Sequence, residues 1–222
     1  MMVAVLGTGQ MGAALSRRLA MAGVPVVVGS RDPARAQALA ARIAGAASTP
    51  VTGASHVQAI NASGVVVLAI PFEDVQCLVL EYGEALAGRI VVDPTTPWGE
   101  HIPATSGAAA IANVLPANVP LVAAWKTTFA DELSVASSTE MHDVLVCGDD
   151  ASAKRTVAEL VVRTGFRPLD CGGLEHARTL EGMTRLMGPI ARNLGLPAGT
   201  VPAFYFAAHR LAWSDPGSVQ PI

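Results

Sequence analysis

Short apolar runs alternate along the first half of the chain with segments whose apolar positions recur at helical spacing. Residues 2–6 and 25–29 are two such runs, and between them Ala14, Leu15, Arg18, Leu19 and Ala22 follow one face of a helix. Asp32-Pro33 predicts an N-cap followed by proline in the first turn, opening an alanine-rich helix over 34–44 that Gly45 stops. A loop rich in Gly, Ser and Thr leads to a short helix over 55–62. Residues 65–70 form the next buried strand, Pro71 breaks it, 73–86 is helical, and 90–92 is a strand that runs into Asp93-Pro94. Strands follow at 120–124, 144–147 and 166–170, with an amphipathic helix over 151–164 between the last two. The Gly-, Pro- and Ala-rich region 95–116 reads as a long ordered loop.

This alternation predicts an α/β fold: a Rossmann-like, doubly wound, mainly parallel sheet with right-handed crossovers and a C-terminal helical segment. Ligands of such sheets bind at the C-terminal ends of the strands. Residues 1–171 make the nucleotide-binding domain. After the Gly172-Gly173 break, residues 172–222 form a segment with a helix near 175–194 that contributes to an acceptor cleft and to dimer contacts.

Composition sharpens this picture. Of the 222 residues 51% are hydrophobic and 15% charged, with mean hydropathy +0.42, as expected when strands are buried on both faces. A net charge of −3 with no basic run provides no footprint for nucleic acid or an anionic membrane. Apolar runs such as 64–70 are too short to span a bilayer, and the N-terminus reads as a strand rather than a signal sequence, so the expected location is cytoplasmic. Cys77, Cys147 and Cys171 are widely spaced and fit reduced thiols; no metal site is readable.

Gly7-Thr8-Gly9-Gln10-Met11-Gly12 matches G-x-G-x-x-G between a strand and a helix, the context in which this motif holds a dinucleotide. Gly7 makes the tight turn, Gly9 admits the pyrophosphate, and Gly12 lets helix and strand pack closely. The carboxylate that would bind the adenine ribose hydroxyls belongs at the end of the second strand, where this chain reads Gly29-Ser30-Arg31. Asp32 directly precedes Pro33 and suits an N-cap instead. Gly29 leaves room for a phosphate, to which Ser30 offers a hydroxyl and Arg31 a planar guanidinium; Arg35 stands one helical turn further on. The expected cofactor is therefore NADP rather than NAD.

Along nearly its whole length the chain resembles the NADPH-dependent reductases of the deazaflavin coenzyme F420. The resemblance is carried by VAVLGTGQMG, VVVGSRDPARA, VVVLAIPFED, VLVCGDDASAK and FRPLDCGGLEHAR. It implies that Thr8, Gln10 and Met11 hold the pyrophosphate turn, that Ser30, Arg31 and Arg35 hold the 2′-phosphate, and that Ile70 and Pro71 line the nucleotide. It also implies direct hydride transfer between NADP(H) and the deazaflavin co-substrate, with no nucleophile or metal; the expected assembly is a homodimer. The segment LVAAWKTTFADEL departs from the pattern: where relatives often read VKAFNTxFA, Ala123 stands for a lysine and Lys126 for an asparagine. Larger relatives among the β-hydroxyacid dehydrogenases use a lysine in the helix after the final strand. Here Glu175-His176-Ala177-Arg178 begins that helix and no lysine follows, which disfavours a hydroxyacid substrate.

Trp125, Thr127 and Thr128 follow a strand end and are candidates to line the nicotinamide and the acceptor ring; core packing for Trp125 and helix capping for the threonines fit equally. His176 and Arg178 are candidates to meet an anionic acceptor or donate a proton, against a solvated helix face. Thr95, Trp98 and His101 follow Asp93-Pro94, where a loop can cover the cleft or simply face solvent. Asp149 and Asp150 read as helix-capping residues rather than metal ligands. Met183, Leu186, Met187 and Ile190 read as core or a subunit seam. Two other functions fit the same motifs: an NADPH-dependent reductase of a small imine, enone or flavin, and a non-catalytic NADP-sensing protein.

Overall fold

The structure, a computed structural model, describes residues 1–99, 102–134, 142–197 and 206. Its elements run β1 (Val3–Leu6), α1 (Gln10–Met21), β2 (Val26–Ser30), α2 (Pro33–Ala44), β3 (Val51–Ser55), α3 (His56–Asn61), β4 (Val65–Leu68), α4 (Phe72–Leu86) and β5 (Ile90–Asp93). They continue with α5 (Gly107–Ala112), β6 (Leu121–Ala123), α6 (Ala130–Ser134), β7 (Asp143–Val146), α7 (Ala151–Arg163) and β8 (Arg167–Asp170). A 3-10 turn, Leu174–His176, leads into α8 (Ala177–Asn193).

Six strands form one sheet in the order β3-β2-β1-β4-β5-β6, each pair parallel. The registers Val3↔Val26 and Val3↔Val65 bring the ends of β1, β2 and β4 level, so that the chain leaves all three at one edge of the sheet. Alternate residues of each strand serve opposite layers. Val3, Val5, Val26, Val28, Val65 and Val67 pack with α1, α2 and α7, while Ala4, Leu6, Val27, Val66 and Leu68 pack with α3, α4, α5 and α8. Both faces are dry, which accounts for the unbroken apolar runs in the sequence.

β7 and β8 form a separate parallel pair. The pair meets β6 through one antiparallel bridge, in which Ala123 and Cys147 exchange backbone hydrogen bonds of 2.9 and 3.0 Å. Reversal of direction at this bridge means that α8 starts at the Leu121 end of β6 and climbs toward the Ala123 end.

Two elements lie where the sequence reads as loop. β3 is a half-buried edge strand of small and polar residues, Val-Thr-Gly-Ala-Ser, and shows no apolar run. α5 is a short helix inside the region 95–116, started by Ser106, whose hydroxyl accepts from the Ala109 N–H. β4 also stops at Leu68, two residues short of the expected run. No helix among the described residues is long and apolar enough to cross a membrane.

Candidate functional site

At the end of β1 the chain turns through Gly7 at φ 126°, and a Cβ built there would sit 2.0 Å from the Ala69 carbonyl oxygen. Glycine is required here by both conformation and space. A Cβ on Gly12 would lie 2.2 Å from the Gly7 carbonyl oxygen, so this glycine brings the first turn of α1 against the strand. Gly9 differs: it is extended, and a Cβ on it would meet no protein atom within 4 Å. The space beside its backbone is open. α1 begins there with no side-chain cap and no acidic residue in its first turn, so its leading amides remain available to an anion.

These residues form one wall of a cleft of about 570 Å³. The opposite side comes from the end of β2 and the start of α2. Asp32 Oδ1 accepts from the Ala34 N–H at 3.0 Å and caps α2, so the first acid past the strand is engaged by its own helix. Ser30 Oγ accepts from the Asp32 N–H at 3.2 Å. Arg31 is 83% exposed and its guanidinium is 3.9 Å from the Asp74 carboxylate, a surface pair that a phosphate can readily replace. Thr8, Arg35, Ile70 and Pro71 also line the cleft, as do His56 and Tyr82, which the sequence reading did not single out. The open cradle at Gly9 and the solvent-facing Arg31 and Arg35 past the end of β2 together fit a dinucleotide that carries an extra phosphate.

Of the expected phosphate-turn residues, Gln10 and Met11 do not line this cleft. Gln10 is exposed beside Ala13 and Arg17, and Met11 packs against the core. Their backbone stands in the uncapped first turn of α1.

The ends of β5 and β6 are closed. Trp125 is fully buried and adopts φ 56°, a left-handed conformation that costs a non-glycine residue on the order of 1–3 kcal/mol. The next residue, Lys126, points inward with no exposed side-chain surface. Its Nζ lies 2.7 Å from Asp93 Oδ2 and 3.2 Å from Glu181 Oε1, and it also donates to the Thr95 carbonyl. Asp93 Oδ1 accepts from the Thr95 N–H and hydroxyl at 2.8 and 2.6 Å. Glu181 accepts from the Gly107 and Ala108 amides at 3.0 and 3.1 Å. The Thr184 hydroxyl reaches the Lys126 carbonyl at 2.7 Å. Two carboxylates and one ammonium are thus held in the interior, with every group paired, as burial of charge demands.

The expected acceptor-lining residues Trp125, Thr127 and Thr128 stand at this closed end and are buried. Trp125 Nε1, Thr127 Oγ1 and Thr96 Oγ1 are buried with no hydrogen-bond partner among the described residues. His176 lies elsewhere. A Cβ on Gly172 would be 3.1 Å from its ring, the Gly172 carbonyl accepts from the Gly148 N–H, and Gly148 abuts Leu121, the first residue of β6. The histidine therefore sits at the opposite end of β6 from Trp125 and the threonines, with Glu175 3.4 Å away. His101 falls outside the described residues. Asp150 caps α7 through the Ala153 N–H, and Asp149 accepts from the Leu174 N–H. Burial pushes the Cys147 thiol up to about 12, which removes it as a nucleophile at neutral pH.

Residues 2–97 match the family described as NADP oxidoreductase, coenzyme F420-dependent. The F420-dependent NADP reductase of Methanothermobacter marburgensis is 32% identical over 223 residues, covering 91% of this chain and 100% of that protein. The Metalloreductase STEAP3 of Rattus norvegicus is 33% identical over 185 residues, covering 82% of this chain but 36% of that much longer protein. A crystal structure from Arthrobacter sp. fb24, assigned as an F420 dependent NADP-reductase, superposes with a TM-score of 0.74 at 25% identity, covering 87% of this chain and 95% of that one. Likeness over the full length of a reductase of similar size, starting with the glycine turn and extending into the closed end of the sheet, means that this chain belongs to the F420-dependent NADP reductase family.

Proposed function

We propose that the protein transfers a hydride between NADP(H) and the deazaflavin coenzyme F420. The observation that carries this reading is the full-length relationship to F420-dependent NADP reductases, joined to a strand end that offers Ser30, Arg31 and Arg35 in place of a free carboxylate. When bound, the two cofactors supply the chemistry: a hydride leaves C4 of the dihydronicotinamide for the deazaflavin ring, and one proton is taken up from solvent.

The chain's own residues bind and align. Amides at the head of α1, together with Gly7, Thr8, Gly9 and Gly12, hold the pyrophosphate. Ser30, Arg31 and Arg35 hold the 2′-phosphate, and Ile70 with Pro71 covers the nucleotide as it leaves β4. Trp125, Thr127 and Thr128 back the nicotinamide and the acceptor ring at the end of β6. The Lys126 cluster keeps that wall rigid, and alignment of two reactive rings in a fixed geometry is the main source of rate. His176, at the other end of β6, is outside the chemistry. The exposed Leu186 on α8 and Leu194 just past its end support assembly as a homodimer through the C-terminal segment. Three free cysteines support a reducing, cytoplasmic setting.

The test is absorbance of the deazaflavin under NADPH, repeated with C4-deuterated NADPH. Deuterium recovered on the reduced deazaflavin is the expected result. Oxidation of NADPH by an imine, enone or flavin but not by the deazaflavin would replace this reading with the other reductase.

A further inference from the structure

We propose that His56 reads the purine base of the dinucleotide, its imidazole engaging the hydrogen-bonding edge of adenine and so setting base specificity. The proposal rests on the NADP reading above and adds a contact that neither the glycine turn nor the arginines provide.

His56 is the first residue of α3, directly after β3, and the pairing Ser30↔Ser55 sets it one residue beyond the level of Ser30. A capping box fixes this start: Ser55 Oγ accepts from the Gln58 N–H, and Gln58 Oε1 accepts from the Ser55 N–H at 3.2 Å. On one side the ring is 3.4 Å from where a Cβ of Gly29 would stand. On another it meets Tyr82 edge to face, with centroids 5.9 Å apart and planes at 88°. The residue is therefore locked in orientation and 95% buried, yet it lines the cleft. Among the described residues no hydrogen bond engages the ring, so its nitrogens remain available to a molecule in the cleft.

With the pyrophosphate at Gly9 and the 2′-phosphate at Arg31 and Arg35, the base attached to the same ribose has one part of the cleft left to occupy. Its walls are the Arg31 guanidinium, Cys77, Leu78 and Glu81 of α4, and the His56–Tyr82 pair. Adenine presents an amino donor beside ring-nitrogen acceptors, and one nitrogen of a neutral imidazole can meet either kind of group. Burial, and then the nearby Arg31, hold His56 below the usual histidine range despite the opposing pull of Glu81. A neutral ring adds little to phosphate binding and suits an uncharged base.

The experiment is calorimetric titration of the full chain with NADPH, NADH and the reduced hypoxanthine analogue of NADPH, in which a carbonyl replaces the amino group of the base. The unmodified protein should favour NADPH over the analogue by about tenfold. His56→Leu, of similar bulk, should weaken NADPH by about tenfold and bind the two bases equally, while its NADPH-to-NADH ratio stays unchanged. His56→Gln should recover part of the discrimination, because an amide also offers a donor and an acceptor. Retained base discrimination in His56→Leu, or a loss confined to the NADPH-to-NADH ratio, would overturn the proposal. If the unmodified protein bound no NADPH, the cofactor reading itself would fall and this assignment with it.

Discussion

Two stretches of the same sheet edge are built on opposite plans. At β1 and β2 the strands give way to backbone and open space: Gly9 has no neighbour within 4 Å of a Cβ position, and Arg31 is mostly in solvent. At β5 and β6 the strands close over Asp93, Lys126 and Glu181, none of which has appreciable exposed side-chain surface. The open end keeps its positive charge in solvent and its leading helix amides uncapped. The closed end ties its two carboxylates to one ammonium, backbone amides and a hydroxyl, so its polar groups serve geometry. On the proposed function, binding and alignment fall to different residues, and substitutions should separate them.

The largest effect is expected at the closed end. Lys126→Ala leaves two carboxylates buried without their cation and should destabilise the fold by about 3–5 kcal/mol, seen in denaturant unfolding. A loss below about 1 kcal/mol would mean that the cluster is not the structural tie described here. Gly9→Val should reverse the pattern. The domain stays folded with an unchanged unfolding midpoint, since no protein atom is displaced, while NADPH affinity measured by calorimetry falls by about a hundredfold or more. An unaltered affinity would remove the pyrophosphate from this turn. Arg31→Ala should raise the KM for NADPH by about tenfold with kcat and stability nearly unchanged, and should leave NADH use as it was. Equal use of NADPH and NADH by the unmodified protein would dissolve the phosphate site. The smallest effect belongs to His176→Ala, far from both ends: steady-state kcat should change by less than about threefold, against the 10² to 10⁴ lost, roughly, when a general acid is removed. A thousandfold loss with NADPH still bound would show that proton transfer limits the reaction and favour an imine or enone acceptor.

The same contrast explains what could be read from the sequence. The open end depends on local rules. Glycine spacing, a strand that ends in Gly-Ser-Arg and an Asp-Pro cap each act within a few residues, and the structure reproduces the elements that they imply. The closed end depends on residues that meet only after folding: Lys126 is 33 positions from Asp93 and 55 from Glu181. One signal was available. Leu180, Glu181, Thr184 and Met187 share the buried face of α8, and a glutamate on such a face needs a partner. Lys126 itself stood out as a departure from its relatives, but nothing local to it indicated that it turns inward. That direction is set by the left-handed backbone of Trp125, which single-residue preferences do not anticipate. His56 was hidden for a similar reason, because β3, the edge strand that delivers it, lacks an apolar run.

The Lys126 cluster also bears on the order in which the molecule assembles. During synthesis β5, α5 and β6 emerge well before Glu181, and until that residue arrives the first amides of α5 and the Lys126 ammonium have only water for partners on that side. Docking of α8 then desolvates all of these groups in one step, which makes it cooperative and late. Glu181 adds contacts to the Gly107 and Ala108 amides and to Lys126, which lies between Trp125 and Thr127 in the chain. The last helix to be made is thus the one that completes the Lys126 cluster, whereas the residues of the glycine turn and the end of β2 are all made long before it.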